Sequence, residues 1–332
     1  MQVGVFGATG QVGSVMLALL QERRFPATSV RLFGTQRSAG RLMRWADRDV
    51  VVESAADADF SGIDIALCSM GATASRSLAP AIAAAGAVVI DNSSAWRMDP
   101  EVPLVVPEVN RKDASHRPKG IIANPNCTTM IAMPSLAALR DAVGLEAVLA
   151  TTFQAVSGAG RAGVAELANQ VASAGDATPL AFDGSAVGVG PVDKFPAPIA
   201  YNVVPMAGAL VDDETEEEHK FRNESRKILG LDSLAVHCTC VRVPVYTGHS
   251  VSVTVKLSSA MSTPEASKAL ASAPGNEFSN LPTPLLAAGR DPCFVGRVRT
   301  DEASRLASFF VSGDNLRKGA ALNAIQIAEA LV

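Results

Sequence analysis

Residues 2–22 read QVGVFGATGQVGSVMLALLQE, and this stretch decides the fold. An apolar β-type run, Gln2–Phe6, ends on the glycine loop Gly7-Ala8-Thr9-Gly10-Gln11-Val12-Gly13. Behind the loop Val12, Met16, Leu19 and Leu20 recur at helical spacing up to Glu22. Strand, glycine loop and helix in this order open a dinucleotide-binding βαβ fold. One glycine makes the tight turn, one lets a pyrophosphate approach the backbone, and one lets helix and strand pack closely; the helix N-terminus then faces the phosphates. The spacing is G-x-x-G-x-x-G rather than G-x-G-x-x-G, so the reading leans on the flanking strand and helix as much as on the glycines.

Working outward, strand-like runs follow at Ser29–Phe33, Val50–Val52, Ile63–Ser69, Ala87–Asp91 and Gly120–Ala123, with a helix over Thr73–Ala85. Strands alternating with helices imply a mostly parallel sheet with right-handed crossovers. The second half reads differently. A strand is expected at Leu145–Val156 and a helix at Gly163–Ala174, then a Gly/Pro-rich stretch over Asp176–Pro205. A helix over Asp212–Leu229 has acids in its first turn, Arg226 and Lys227 in its last, and Gly230 closing it. Val241, Val243 and Val245, then Val251, Val253, Val255 and Leu257, alternate on either side of Pro244–Gly248, which predicts an antiparallel hairpin. A last helix from Gly313 is expected to pack back on the first domain. The predicted class is therefore a Rossmann-like α/β domain (residues 1–127 with 313–332) plus an α+β domain (128–312) whose sheet is mixed and largely antiparallel.

Composition fits that outline. A chain of 332 residues accommodates about two domains, and 48% hydrophobic against 19% charged residues excludes a disordered chain. With 29 Lys+Arg against 33 Asp+Glu and no basic block, a nucleic-acid or anionic-membrane partner is not expected. The longest apolar run, Leu78–Ile90, contains Pro80 and Gly86 and falls short of the roughly 20 residues a spanning helix needs. The N-terminus lacks the basic and apolar regions of a signal peptide, so a cytoplasmic location is expected. Five scattered cysteines form no disulfide framework. Cys238 and Cys240 lack the second pair of a zinc site, so no metal is expected.

Three groups of residues carry candidate chemistry. After the second strand, Gly34-Thr35-Gln36-Arg37-Ser38-Ala39-Gly40-Arg41 holds no acid for a ribose 2′-hydroxyl, whereas Arg37 and Ser38 suit a 2′-phosphate; this favours NADP. Asn124-Pro125-Asn126-Cys127 places Cys127 at a helix N-terminus, where the dipole is expected to lower a thiol pKa from about 8.5. His249 follows the hairpin turn and Arg242 precedes it, which sets them side by side. Glu217 and Lys220 share a helical face, and Arg97 follows a strand end that opens toward the same crevice.

Taken together, GVFGATGQVG, TQRSAGR, DNSSAWRMDPEVPLVVPEVN, NPNCTT, QAVSGAGRAG, FPAPIAYNVVP, EEEHKFRNESRKILG, CVRVPV with GHS, and DNLRKGAALNAIQIAEAL closely resemble the aspartate-β-semialdehyde dehydrogenase family, in its order and from first strand to last helix. The resemblance implies Cys127 as nucleophile, His249 as acid/base, and Asn126 and Gln154 as groups that orient the reacting carbonyl. It implies Arg97 and Lys220 at the phosphate, and Glu217 and Arg242 at the substrate's amino and carboxylate ends. It places NADP on Gly7, Ala8, Thr9, Gly10, Gln11, Val12, Gly13, Arg37, Ser38, Ser157, Gly158 and Asn315, and implies a homodimer or homotetramer acting on a small substrate. N-acetyl-γ-glutamyl-phosphate reductases share the chemistry but usually have Gly where this chain has Asn126. A non-catalytic relative would have lost Cys127, His249 or Arg242. The segment Cys68-Ser69-Met70-Gly71 departs from the S-A-G-G common in the family.

Overall fold

The computed structural model describes residues 1–332. The first half runs β1 (Gln2–Phe6), α1 (Gln11–Glu22), β2 (Ser29–Gly34), β3 (Leu42–Trp45), β4 (Arg48–Ser54), β5 (Ile65–Cys68), α2 (Ala72–Ala84), β6 (Val88–Asp91), α3 (Pro107–Asn110) and β7 (Ile121–Ala123). These strands make a seven-stranded sheet in the order β3-β4-β2-β1-β5-β6-β7, parallel throughout except for β3. The chain leaves β1 to one side for β2 and later crosses to its other side for β5. The C-terminal end of β1, where the glycine loop lies, is therefore the switch point at which such sheets bind ligands. The sequence showed β4 only as Val50–Val52 and missed β3, a short and largely exposed edge strand with no apolar alternation to betray it.

The second half runs α4 (Cys127–Val143), β8 (Leu145–Gln154), α5 (Gly160–Ala174), a small ribbon of β9 (Leu210–Val211) and β10 (Glu214–Thr215), α6 (Glu216–Leu229), β11 (Ala235–Arg242), β12 (His249–Leu257), α7 (Thr263–Ser272), β13 (Asn276–Phe278), α8 (Pro284–Ala287), β14 (Cys293–Asp301), β15 (Leu306–Gly313) and α9 (Leu322–Glu329). Its six-stranded sheet has the order β11-β8-β12-β15-β14-β13. The three central pairings are antiparallel and the two outer ones parallel, the mixed character expected.

The expected hairpin does not form. β8 lies between β11 and β12, parallel to the first and antiparallel to the second, and the loop 243–248 passes over its end. Period-2 alternation reports a buried face and carries no information about which strand lies alongside. The consequence for the site is specific: Arg242 and His249 flank the end of β8, on opposite sides of Gln154.

α4 is buried along most of its length and runs through a core shared by β7, α6, α7 and the second sheet. A second core joins α1 to α9, so the chain end does return to the first sheet. That return is not one helix from Gly313. Asp314 Oδ1 accepts from the backbone of Leu316 and Arg317, Arg317–Ala321 forms a π-helical turn, and α9 follows. The wide turn brings Gly319 so close to Cys127 that an added Cβ would sit 3.1 Å from the cysteine Cβ. The Gly/Pro-rich stretch is held by α5: the buried Glu166 carboxylate accepts from the backbone of Asp193 and Lys194, and Gln170 Oε1 from Ile199 and Ala200. No helix is long and apolar enough to cross a membrane.

Gly13 shows why the loop needs its third glycine, since a Cβ there would lie 2.3 Å from the Gly7 carbonyl oxygen. Gly13→Ala is expected to lower the unfolding free energy by about 1–3 kcal/mol through overpacking. Gly184→Ala, in open space, should leave it unchanged in the same urea titration.

Candidate active site

Two cavities meet between the sheets. The larger, about 970 Å³, lies over the C-terminal ends of β1 and β2. Gly7, Thr9, Gly10, Gln11, Val12, Arg37, Ser38, Ser157 and Gly158, all assigned to the cofactor by the resemblance, line it together. Gly7 makes the turn at φ +80°, with its Cα face packed on the Ser69 carbonyl. Ala8 and Gly13 stay behind the wall as packing residues, and Asn315 lines the neighbouring cavity instead. Arg37 is exposed and makes no ion pair. Arg41 and Arg161, which the sequence did not single out, line the same cavity, and no carboxylate does. Ser38 is buried, its hydroxyl donating to the Thr35 carbonyl at 2.9 Å, so it shapes the loop under Arg37.

The smaller cavity, about 310 Å³, brings together Cys127, Asn126, Gln154, Arg97, Glu217, Lys220, Arg242 and Asn315. It shares Val12, Ser157, Gly158 and Leu316 with the cofactor cavity. Cys127 is the first residue of α4. Asn126 is the N-cap, its Oδ1 accepting from the backbone of Thr128 and Thr129, as a capping asparagine does. Those two N–H groups are thus taken, whereas the Cys127 backbone N–H is not capped by it. The Gln154 amide nitrogen, the Arg242 Nε and His249 Nε2 are all buried with no partner in the chain. Unpaired buried donors of this kind belong where a ligand completes them.

His249 stands behind Gly158 and does not line the cavity itself. A Cβ on Gly158 would lie 3.0 Å from both His249 Nε2 and Arg242 Nη1, so only glycine leaves room for them. The Ala155 backbone N–H donates to His249 Nδ1 at 3.0 Å, which leaves the proton of a neutral ring on Nε2. Burial, reinforced by Arg242, pulls the imidazole pKa well below its ordinary value, so the ring is neutral at pH 7.

The charges are nearly balanced. Arg97 pairs with Glu224 at 3.0 Å and Lys220 with Glu217 at 2.9 Å. Burial pushes the Glu217 carboxyl up, but Lys220, Asn126 and Arg242 outweigh it and hold the group below its usual range. Arg242 makes no ion pair. Its Nη1 donates to the Ala155 carbonyl, and the Phe195 ring, from the held loop, lies 5.8 Å from the guanidinium. It is the one cavity cation left free for an incoming carboxylate.

Sequence reasoning found Glu217 and Lys220 but missed Glu224 and Lys227, which continue the same stripe of α6. The spacing 217, 220, 224, 227 is one helical face and was the available signal. Lys227 Nζ donates to the carbonyls of Arg97, Asp99 and Val102, fixing the backbone that presents Arg97.

The cysteine departs from expectation. Burial, and then the Glu217 charge, outweigh Arg242 and Arg97 and push the thiol up to about 11. Alkylation of Cys127 by iodoacetamide, followed by mass spectrometry, should therefore keep accelerating with pH until about 11. A plateau near the ordinary thiol value of about 8.5 would show that the helix start dominates instead.

Known proteins place this geometry. The family model described as semialdehyde dehydrogenase, NAD binding domain, matches residues 2–117, and the one described as semialdehyde dehydrogenase, dimerisation domain, matches residues 136–318. An aspartate-semialdehyde dehydrogenase from Streptomyces akiyoshiensis is 56% identical over 99% of this chain and 98% of its own length. One from Corynebacterium glutamicum is 54% identical over 99% of each. The crystal structure of aspartate semialdehyde dehydrogenase II from Vibrio cholerae, complexed with ASA, superposes with a TM-score of 0.92 at 41% identity, covering 99% of this chain and 97% of that one. The chain belongs to the aspartate-semialdehyde dehydrogenase family, with a Rossmann-like NAD-binding domain followed by a dimerisation domain.

Proposed function

We propose that the protein catalyses the reversible, NADPH-dependent reductive dephosphorylation of L-aspartyl-4-phosphate to L-aspartate-4-semialdehyde through a thioester on Cys127. We assign it to the biosynthesis of lysine, threonine, methionine and diaminopimelate, as a cytoplasmic homodimer, with residues 1–127 and 313–332 holding NADP and 128–312 carrying catalysis and dimerisation. The observation that carries the reading is the small cavity itself. A cysteine heads a buried helix there, facing one cation with no carboxylate partner, Arg242, and two paired ones, Arg97 and Lys220.

The roles follow from position. Arg242 grips the substrate's α-carboxylate, for which its planar fork is suited. Glu217, held ionised, receives the α-amino group. Arg97 and Lys220 take the phosphate. Cys127 sulfur bonds to the β-carbonyl carbon as the carbon–oxygen bond to phosphate breaks, giving the thioester. With the Thr128 and Thr129 N–H groups capped, the Cys127 backbone N–H, the Gln154 amide and the His249 Nε2–H are the donors for the carbonyl oxygen. NADPH, when bound, supplies the hydride. The Cys127 proton goes to the departing phosphate, and the sulfur that leaves after hydride transfer takes a proton from water, while the neutral His249 keeps its Nε2–H on the carbonyl oxygen. Asn126 ties Glu217 to the nucleophile's turn through an Nδ2 hydrogen bond of 2.9 Å, a bond that glycine in its place, as in the acetylglutamyl enzymes, cannot make. Three arginines and no acid at the cofactor cavity support NADP over NAD.

Cys127→Ala is expected to abolish phosphate-dependent NADP reduction by aspartate semialdehyde while NADPH still binds, as followed by its fluorescence; substantial residual turnover would refute the thioester. Arg37→Ala should weaken NADPH by about tenfold or more, as for loss of a charge-assisted pair, and leave NADH almost unaffected. Equal losses would return Arg37 to an ordinary surface residue.

A further inference from the structure

Glu224 is 1% exposed, on the same face of α6 as Glu217 and two turns further along, and the chemistry above gives it no task. Both of its oxygens are engaged. Oε1 accepts from Arg97 Nη1 at 3.0 Å, and Oε2 accepts from the backbone N–H of Asn126 at 2.6 Å. Arg97 in turn donates from Nε to the Asn124 carbonyl at 3.0 Å and from Nη2 to the Asn92 carbonyl at 2.9 Å. Arg97 and Glu224 thus close a ring around Asn124-Pro125-Asn126, the turn that ends β7 and delivers Cys127. Pro125 has no N–H to offer. The ring takes the carbonyl before the proline and the amide after it.

We infer that Glu224 is a positioning residue that holds the Arg97 guanidinium and the nucleophile's turn in one frame, so that the phosphate site and Cys127 keep a fixed separation. The inference rests on the roles proposed for Arg97 and Cys127. A carboxylate needed only to neutralise Arg97 would have no reason to place its second oxygen on the Asn126 amide. That contact is also what distinguishes Glu224 from Lys227, which braces only the backbone around Arg97. Together the two residues make α6 a ruler: Lys227 sets where Arg97 starts, Glu224 where its head ends.

The test uses two readouts on the full-length protein. The first is the concentration of inorganic phosphate that half-protects Cys127 from iodoacetamide, which needs no turnover. The second is the KM for phosphate against kcat in aspartate semialdehyde oxidation. Glu224→Gln keeps the shape and an acceptor for Asn126 but sets an amide N–H₂ against Arg97 Nη1. The half-protecting phosphate concentration is expected to rise at least about tenfold, as for a broken buried pair, with KM for phosphate rising and kcat falling. Effects of Glu224→Gln and Arg97→Lys on kcat/KM should be strongly non-additive, the double variant hardly worse than the worse single one. NADPH fluorescence reports that each variant is folded. If Glu224→Gln is not, Glu224→Asp, too short to reach both partners, is read in its place with the same expected direction. A half-protecting concentration and KM equal to wild type, or additive effects in the cycle, would overturn the inference. A wild-type chain that does not turn over aspartate semialdehyde, while the variant still loses phosphate protection, would refute the proposed reaction and support the positioning role.

Discussion

Buried charge at the seam between the two sheets has to be matched, and the rest of the structure is arranged around that constraint. Lys318, 1% exposed in the π-helical turn, donates to Glu108 of α3 at 2.6 Å, and to Asn323 and Gln326 of α9. Arg97, after β6, finds its carboxylate on α6. Each pair spans elements distant in the chain. Removing one partner of such a pair leaves the other uncompensated at about 3–5 kcal/mol. The pairs therefore form only when α3, α6 and the chain end are docked together, and one of the docking groups, Arg97, also lines the smaller cavity.

The first sheet and its cofactor loop were legible because strand, glycines and helix are consecutive in sequence. Cys127 and Asn126 were legible for the same reason, as a helix start is local. Other features depended on contacts the sequence does not encode locally. The alternation of Val241–Val245 and Val251–Leu257 was real, but β8, more than eighty residues earlier in the chain, supplied the neighbour for both strands. Arg242 and His249 did come together, by flanking β8 rather than by facing each other across a turn. Glu224 went unnoticed because nothing on its own helix marks it; its partners, Arg97 and the Asn126 amide, lie about a hundred residues earlier in the chain. The thiol was misjudged because a helix start is only one influence on it, and burial beside Glu217 is a stronger one.

The two cavities divide the work along a shared wall of Val12, Ser157, Gly158 and Leu316. Asn315 braces that wall: its amide nitrogen donates to the Ser157 hydroxyl at 2.9 Å, and its Oδ1 accepts from the Gly248 backbone at 2.9 Å, just before His249. These bonds make Asn315, which the family resemblance assigned to the cofactor, a link between the shared wall and the turn that precedes His249. Gly158, with no side chain, lets His249 and Arg242 reach the cavity from behind. Burial and the Glu217 charge hold the Cys127 thiol protonated at rest.

The central claim is a covalent acyl group on Cys127, and the direct measurement is rapid-quench mass spectrometry with aspartate semialdehyde and NADP in the absence of phosphate. With nothing to release the acyl group, a single turnover of NADPH should appear together with an equal amount of aspartyl thioester mapped to the peptide containing Cys127. Added phosphate should then discharge it. NADPH formation with no adduct, or an adduct on another residue, would contradict the account.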